Sequence, residues 1–164
     1  MMMKMKPWLL ALALLAVGFA GCGQAGQPAH FDGVTVTAPW AREIPPNAPV
    51  AGGFLSIHNG GATDDRLLAV RSEAAERVEI HEVRHEDGMA RMRELADGLA
   101  LPAGATVELK PGGYHLMFIA PGEDFTAGRR IPATLVFAVA GEMAVEFEVR
   151  AAAATGQPSP HAHH

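Results

Sequence analysis

The chain has 164 residues, of which 49% are hydrophobic and 19% are charged, and its formal net charge is −5 at pH 7. This length suits a single domain with a substantial hydrophobic core. The acidic balance, without a cluster of lysine and arginine, argues against nucleic acid or an anionic lipid surface as a partner. The single cysteine excludes an internal disulfide framework.

The first 22 residues have the layout of a secretory signal peptide. Two lysines precede an apolar run from Trp8 to Ala20, which is too short and wrongly flanked for a stable membrane span. The position of Cys22 after "FAG" resembles a bacterial lipobox, in which the cysteine is lipidated, although Phe19 stands where the pattern usually has Leu. We therefore expect export to the periplasm or cell envelope and membrane attachment only through a lipid on Cys22. Cleavage to a soluble periplasmic protein is the alternative.

The rest of the chain is predicted to be a polar tether at 23–30, a folded domain at 31–150 and a disordered tail at 151–164. No run in the domain shows a sustained helical period, and turn residues recur about every ten positions, which is typical of all-β proteins. We therefore predict one antiparallel β-sandwich or barrel, with the sandwich as the assignment. The strand-like runs are "GVTVTAPW", "AGGFLSIHNGG", "RLLAVRS", "ERVEIHEVRH", "MARMREL", "ATVELKPGGYHLMFI", "IPATLVFAVAG" and "MAVEFEVRA".

His81 and Met92 lie on either side of a predicted hairpin turn. The dipeptide Asp87-Gly88 between two alternating runs is a strong signal for a tight turn. With these two residues at the centre, Met92 lies opposite Val83 and diagonal to His81. With Glu86-Asp87 at the centre, Met92 lies directly opposite His81. Both two-residue registers place His81 and Met92 on one face within side-chain reach, whereas a three-residue loop would separate them.

A second histidine and methionine occur in "YHLMF". Residues two apart in a strand point to the same face, so His115 and Met117 project together. Tyr114, Leu116 and Phe118 point the other way and are predicted to face the core.

Together, these residues offer two imidazoles and two thioethers. Thioethers select Cu(I), imidazole also suits copper, and methionine cannot form a disulfide in an oxidising compartment. The sequence therefore predicts a Cu(I) site and no enzyme, since no activated nucleophile or carboxylate ligand accompanies the set. A copper-dependent redox enzyme and an interaction domain that binds no metal are the alternatives. The predicted ligands are His81, Met92, His115 and Met117.

This pattern resembles the periplasmic copper(I) chaperone (PCu(A)C-like) family, which serves the dinuclear copper centre of cytochrome c oxidase. The family motif is His, ten residues, Met, about twenty-one residues, then His-x-Met. Here ten residues separate His81 from Met92, and twenty-two separate Met92 from His115-Leu116-Met117. The phrases "PWAR", "DDRLL", "MRELADGLALPAG" and "ELKPGGYHLM" are also similar, whereas Val83 stands where many relatives carry a further Met.

The resemblance covers about residues 33–150. It implies a cupredoxin-like β-sandwich that binds one copper ion without redox turnover. It also implies a copper-accepting partner, either the oxidase subunit that carries the dinuclear copper site or another copper chaperone.

The remaining polar candidates have simpler interpretations. His85 lies on the face of His81 and is an auxiliary-ligand candidate, although a solvated histidine near the turn is the simpler assignment. His58 is interpreted as structural, and Asp64-Asp65 as a turn with a solvated face. The tail could collect a second copper ion, as Cu(II), on imidazole nitrogens, and a tail without a role is the alternative. The tail histidines are His161, His163 and His164.

Overall fold

The computed structural model describes residues 29–122 and 124–152. These residues form eleven β-strands and no α-helix, which confirms the all-β prediction. Within the same residues, no helix is long and apolar enough to cross a membrane. The strands are β1 Ala29–Phe31, β2 Val34–Arg42, β3 Val50–Asn59, β4 Asp65–Arg71, β5 Ala75–Glu86, β6 Met89–Glu94, β7 Leu99–Leu101, β8 Thr106–Leu109, β9 His115–Pro121, β10 Arg130–Phe137 and β11 Glu142–Arg150.

Seven of these strands close into a barrel-like ring of hydrogen bonds. The ring runs β2, β11, β10, β4, β5, β9 and β3, and β3 pairs with β2 to close it. The four others pair at its margins: β1 with β2, β8 with β3, β6 with β5 and β7 with β4. The prediction of a purely antiparallel sheet is wrong at one pair, because β11 lies parallel to β2. Alternation in sequence fixes which face a side chain occupies, but it does not fix the direction of a neighbouring strand.

The core is made by the side chains of the ring strands that point inward. In β11, burial alternates residue by residue along the whole strand, with the acidic side chains outside. Phe118 of β9 lies at the centre, with ring centroids 5.1 Å from Phe125 and 5.6 Å from Phe147 in edge-on contacts. Burying apolar area at about 25 cal/mol per Å² makes this interior the main source of stability.

Two expectations about where strands begin are corrected. β1 begins at Ala29, inside the predicted tether, because Ala29 pairs with Val36 and Phe31 pairs with Val34. A strand of three residues is held by its neighbour, so its own sequence gives little signal.

Tyr114 is the other correction. Leu116 and Phe118 are fully buried as predicted, but Tyr114 is 37% exposed and precedes β9. The backbone N–H of Lys110 donates to the Tyr114 carbonyl at 2.7 Å, which closes the turn between β8 and β9. The alternation of β9 therefore stops at His115, where the chain enters the sheet.

Candidate metal centre

The four predicted ligands lie on one face of three neighbouring strands. His81 of β5 is paired directly with His115 of β9, and Met117 follows two residues later on the same face. On the other side of β5, Met92 of β6 is paired with Val83. Directly opposed residues share a face, so Met92 is a diagonal neighbour of His81. This is the register expected for a turn centred on Asp87-Gly88.

Hydrogen bonds leave one nitrogen of each imidazole without a hydrogen. The Nε2–H of His81 donates to Glu79 Oε2 at 2.9 Å, and the Nδ1–H of His115 donates to the Gly113 carbonyl at 2.9 Å. A carboxylate or a carbonyl oxygen can only accept, so these nitrogens carry the hydrogens. In the neutral rings, His81 Nδ1 and His115 Nε2 then keep their lone pairs. Metal-binding histidines usually donate their other N–H in this way.

His81 Nδ1 is buried and makes no hydrogen bond to the described residues. A buried polar atom without a partner costs about 1–3 kcal/mol, so such atoms are rare and call for an explanation. A metal ion at this nitrogen would supply the missing interaction. The donor chemistry of the face therefore fits a soft metal ion.

The spacing of the two rings fits a shared ion. The centroids of His81 and His115 lie 5.7 Å apart, with the ring planes at 52°. Metal–nitrogen bonds of about 2.0–2.1 Å place two ring centres about 5–6 Å apart around one ion. His115 is 7% exposed and Met117 is half-buried, whereas Met92 is 57% exposed. The two imidazole rings are thus shielded from solvent, whereas Met92 lies on the solvent-exposed side of the predicted site.

The chain matches a protein family over this whole region. Residues 34–149 match the profile of the family described as "Putative lipoprotein LpqE-like". The chain belongs to the LpqE-like family. A similar curated protein is "Putative lipoprotein Lxx21020" of Leifsonia xyli subsp. xyli (strain CTCB07), which is 30% identical over 132 residues, covering 77% of this chain and 78% of that protein.

Solved structures with the same fold are PCuAC domains. The apo PCuAC domain from PmoF1 is 26% identical, with a TM-score of 0.65, covering 76% of this chain and 99% of that chain. The copper-bound PCuAC domain from PmoF2 is 24% identical, with a TM-score of 0.64, covering 76% and 98%. The resemblance to this family that the motif indicated is confirmed.

Two carboxylates beside His81 were not predicted from the sequence of this LpqE-like chain. Glu79 precedes His81 by two residues and is opposed to Met117, and Glu94 is opposed to His81. Hydrogen bonds from His81 and then Arg77 hold the pKa of the Glu79 carboxyl below its usual value. Alternation in "VEIH" already places Glu79 on the face of His81, so this signal was present. The position of Glu94 depends on the hairpin register.

On the β3 side, the face is shaped by a glycine. Gly52 is paired with Met117, and a Cβ at this position would lie 3.1 Å from the ring of Phe54. That ring in turn packs on Trp40, with centroids 4.4 Å apart. The absence of a side chain at Gly52 therefore lets the Phe54–Trp40 pair approach the face of the predicted ligands closely.

The structure also locates the other predicted polar residues. His85 is exposed and opposed to Ala90 on the face of His81, two positions beyond Val83. His58 is exposed, and its Nδ1 lies 3.0 Å from Thr106 Oγ1. The expectation of a solvated Asp65 is wrong: this carboxylate is 8% exposed and accepts backbone N–H groups from Val139 and Ala140.

Several predictions concern residues outside the described ranges. Lipidation of Cys22 and the signal peptide at 1–22 stay predictions, as does most of the tail at 151–164. The same holds for Cu(II) collection by His161, His163 and His164.

Proposed function

We propose that this LpqE-like protein is a copper metallochaperone that binds Cu(I) through His81, Met92, His115 and Met117 and donates it to an acceptor. The observation that carries the proposal is the pair of imidazoles, each with one nitrogen engaged and the other left as a lone pair. Two thioethers on the same face make the set soft, which favours Cu(I). The copper-bound PCuAC domain with the same fold supports the choice of metal.

Exchange of the metal follows from the properties of this donor set. Neutral imidazole and thioether ligands hold Cu(I) less tightly than thiolates, so a two-cysteine acceptor takes the ion thermodynamically. Met92, which is exposed on a strand that pairs only with β5, is the ligand that an acceptor can reach first. We propose as acceptor the cytochrome c oxidase subunit that carries the dinuclear copper site, or another copper chaperone. The role is delivery without catalytic turnover.

The proposed setting is the periplasm or cell envelope, with a lipid anchor at Cys22. Family and relative are both described as lipoproteins, which supports this placement. A cupredoxin-like arrangement of the barrel strands and a second ion, Cu(II), on the tail histidines belong to the same proposal.

The proposal is tested by Cu(I) titration against a chromophoric competitor. Met92→Leu and Met117→Leu together should lower Cu(I) affinity at least about tenfold, since a ligand pair is lost. Stability should change by less than about 1.5 kcal/mol per site, because Leu conserves volume. Met89→Leu is the matched control, since Met89 is a 54% exposed methionine of the same hairpin on the opposite face.

Two results would count against the proposal. Wild-type affinity in the Met92/Met117 double variant would refute the ligand assignment. Failure of the copper-loaded protein to metallate a thiolate acceptor, such as the soluble domain of the oxidase subunit, would leave the site but remove the delivery role.

A further inference from the structure

We propose that His81 also belongs to a second, overlapping coordination set, formed with Glu79 and Glu94, which takes a borderline divalent cation such as Cu(II). This inference rests on the proposed copper(I) site because the two sets share His81. It assigns the two unpredicted carboxylates a role in holding the oxidised form of the cargo.

The three side chains converge to nearly the span of one ion. One ligand atom from each of Glu79, His81 and Glu94 lies within 4.8 Å of the others. Metal–ligand bonds of about 2.0–2.2 Å place two ligand atoms up to about 4.4 Å apart around one ion. Glu94 is exposed and can make the small movement that remains. Glu79 and His81 are already fixed by their mutual hydrogen bond, at 17% and 13% side-chain exposure.

The charge and softness of the donors separate the two sets. Two neutral thioethers and two imidazoles carry no charge, which suits a monovalent soft ion. One imidazole and two carboxylates carry a charge of about −2 and neutralise a divalent ion. For such nitrogen and oxygen sites, affinity among divalent metals peaks at Cu(II).

Apart from the His81 hydrogen bond that the ion would replace, one interaction within the described residues holds Glu79. The Arg77 Nε–H donates to Glu79 Oε1 at 2.7 Å, while Oε2 faces His81. The Arg77 side chain is 56% exposed, so this ion pair is weak in water. A cation at Oε2 can therefore bind without breaking the contact at Oε1.

The two coordination sets cannot use a neutral His81 imidazole at the same time. The nitrogen nearest Glu79 is Nε2, so an ion bound with Glu79 takes the place of the Nε2 hydrogen, which then lies on Nδ1. The copper(I) set needs the Nδ1 lone pair that this tautomer removes. One imidazole thus serves either the carboxylate side or the thioether side.

The test is titration with Cu(II) of the full chain carrying His161→Ala, His163→Ala and His164→Ala, so that the tail does not contribute. Glu94→Gln should lower Cu(II) affinity at least about tenfold, as expected when a ligand is lost, and should leave Cu(I) affinity unchanged. Glu86→Gln is the matched control, because it removes the same charge from the same hairpin on the opposite face. His81→Ala should weaken both ions, and Met92→Leu with Met117→Leu should weaken only Cu(I).

Unchanged Cu(II) affinity in Glu94→Gln would overturn the second set. An equal loss in Glu86→Gln would also overturn it, since the effect would then be general electrostatics. Simultaneous binding of Cu(I) and Cu(II) at full affinity would refute the shared use of His81. None of these outcomes depends on the effect of the methionine variants on Cu(I), which tests the proposed function separately.

Discussion

At the scale of single residues, hydrogen bonds to backbone groups decide which polar side chains are structural and which are free to act. The Asp65 carboxylate accepts N–H groups from Arg66, Val139 and Ala140 at 2.6–3.0 Å. It therefore ties the start of β4 to the turn between β10 and β11. By contrast, the His81 Nδ1 lone pair is buried without any such partner among the residues that the structure describes. Hydrogen bonds within the fold explain why the Asp65 carboxylate is buried, but they do not explain why the His81 nitrogen is.

Asp65→Ala should lower the free energy of unfolding by about 2–4 kcal/mol, because at least two N–H groups lose a buried charged acceptor at about 1–3 kcal/mol each. Urea unfolding monitored by tryptophan fluorescence measures the change. Asp64→Ala is the control, since Asp64 is exposed and, within residues 29–122 and 124–152, accepts the N–H of Ala103 alone. A loss for Asp65→Ala no larger than that for Asp64→Ala would contradict this role.

At the scale of elements, the β5–β6 hairpin carries one proposed metal ligand, Met92, beyond the ring of strands. On the hairpin face opposite His81, charged side chains pair with one another. Glu82 receives hydrogen bonds from Arg93 and lies 2.8 Å from Arg84. Burial raises the pKa of the Glu82 carboxyl, but the hydrogen bonds from Arg93 and Arg84 outweigh it and hold the pKa below its usual value. These contacts join β5 to β6 on the face opposite Met92.

Gly88→Ala should loosen this hairpin without unfolding the domain. Asp87 and Gly88 have φ values of 52° and 76°, the two left-handed conformations that a tight Asp-Gly turn requires. A Cβ at Gly88 meets nothing within 4 Å, so the cost is backbone strain alone, about 1–2 kcal/mol. Amide hydrogen exchange should accelerate in β6 and stay unchanged in β10 and β11. Unchanged protection of β6 would show that other contacts fix the hairpin.

The same elements show how far sequence reasoning reaches. A strand period of two and an Asp-Gly turn were enough to place His81 with Met92, and His115 with Met117, because both are local properties. The adjacency of β5 and β9, which brings His81 beside His115, depends on strand order across 34 positions. Only the family-like spacing indicated it. Glu94 was missed for a similar reason, since its place opposite His81 follows from one hairpin register and not from the other.

At the scale of the whole molecule, closure of the sheet leaves the face with the proposed ligands at one margin of the barrel-like ring. β2 closes the ring by pairing with β3 and β11, which removes free edges from the seven ring strands. The hairpin that carries Met92 projects from this ring as an outer strand. This arrangement would let the proposed acceptor approach the proposed ligands while the core stays intact.

The last prediction concerns how the protein is held at its site of action. If Cys22 is lipidated, the full chain should incorporate labelled palmitate and sediment with membranes, and Cys22→Ser should lose the label. The anchoring energy is about 0.8 kcal/mol per buried CH₂, so two or more acyl chains attach the protein stably, whereas a single chain binds only marginally. Membrane sedimentation alone does not decide the point, because an uncleaved leader with its apolar run from Trp8 to Ala20 could also retain the variant. The label is therefore the primary readout. Its absence from the wild-type chain would refute the anchor and favour a soluble periplasmic donor.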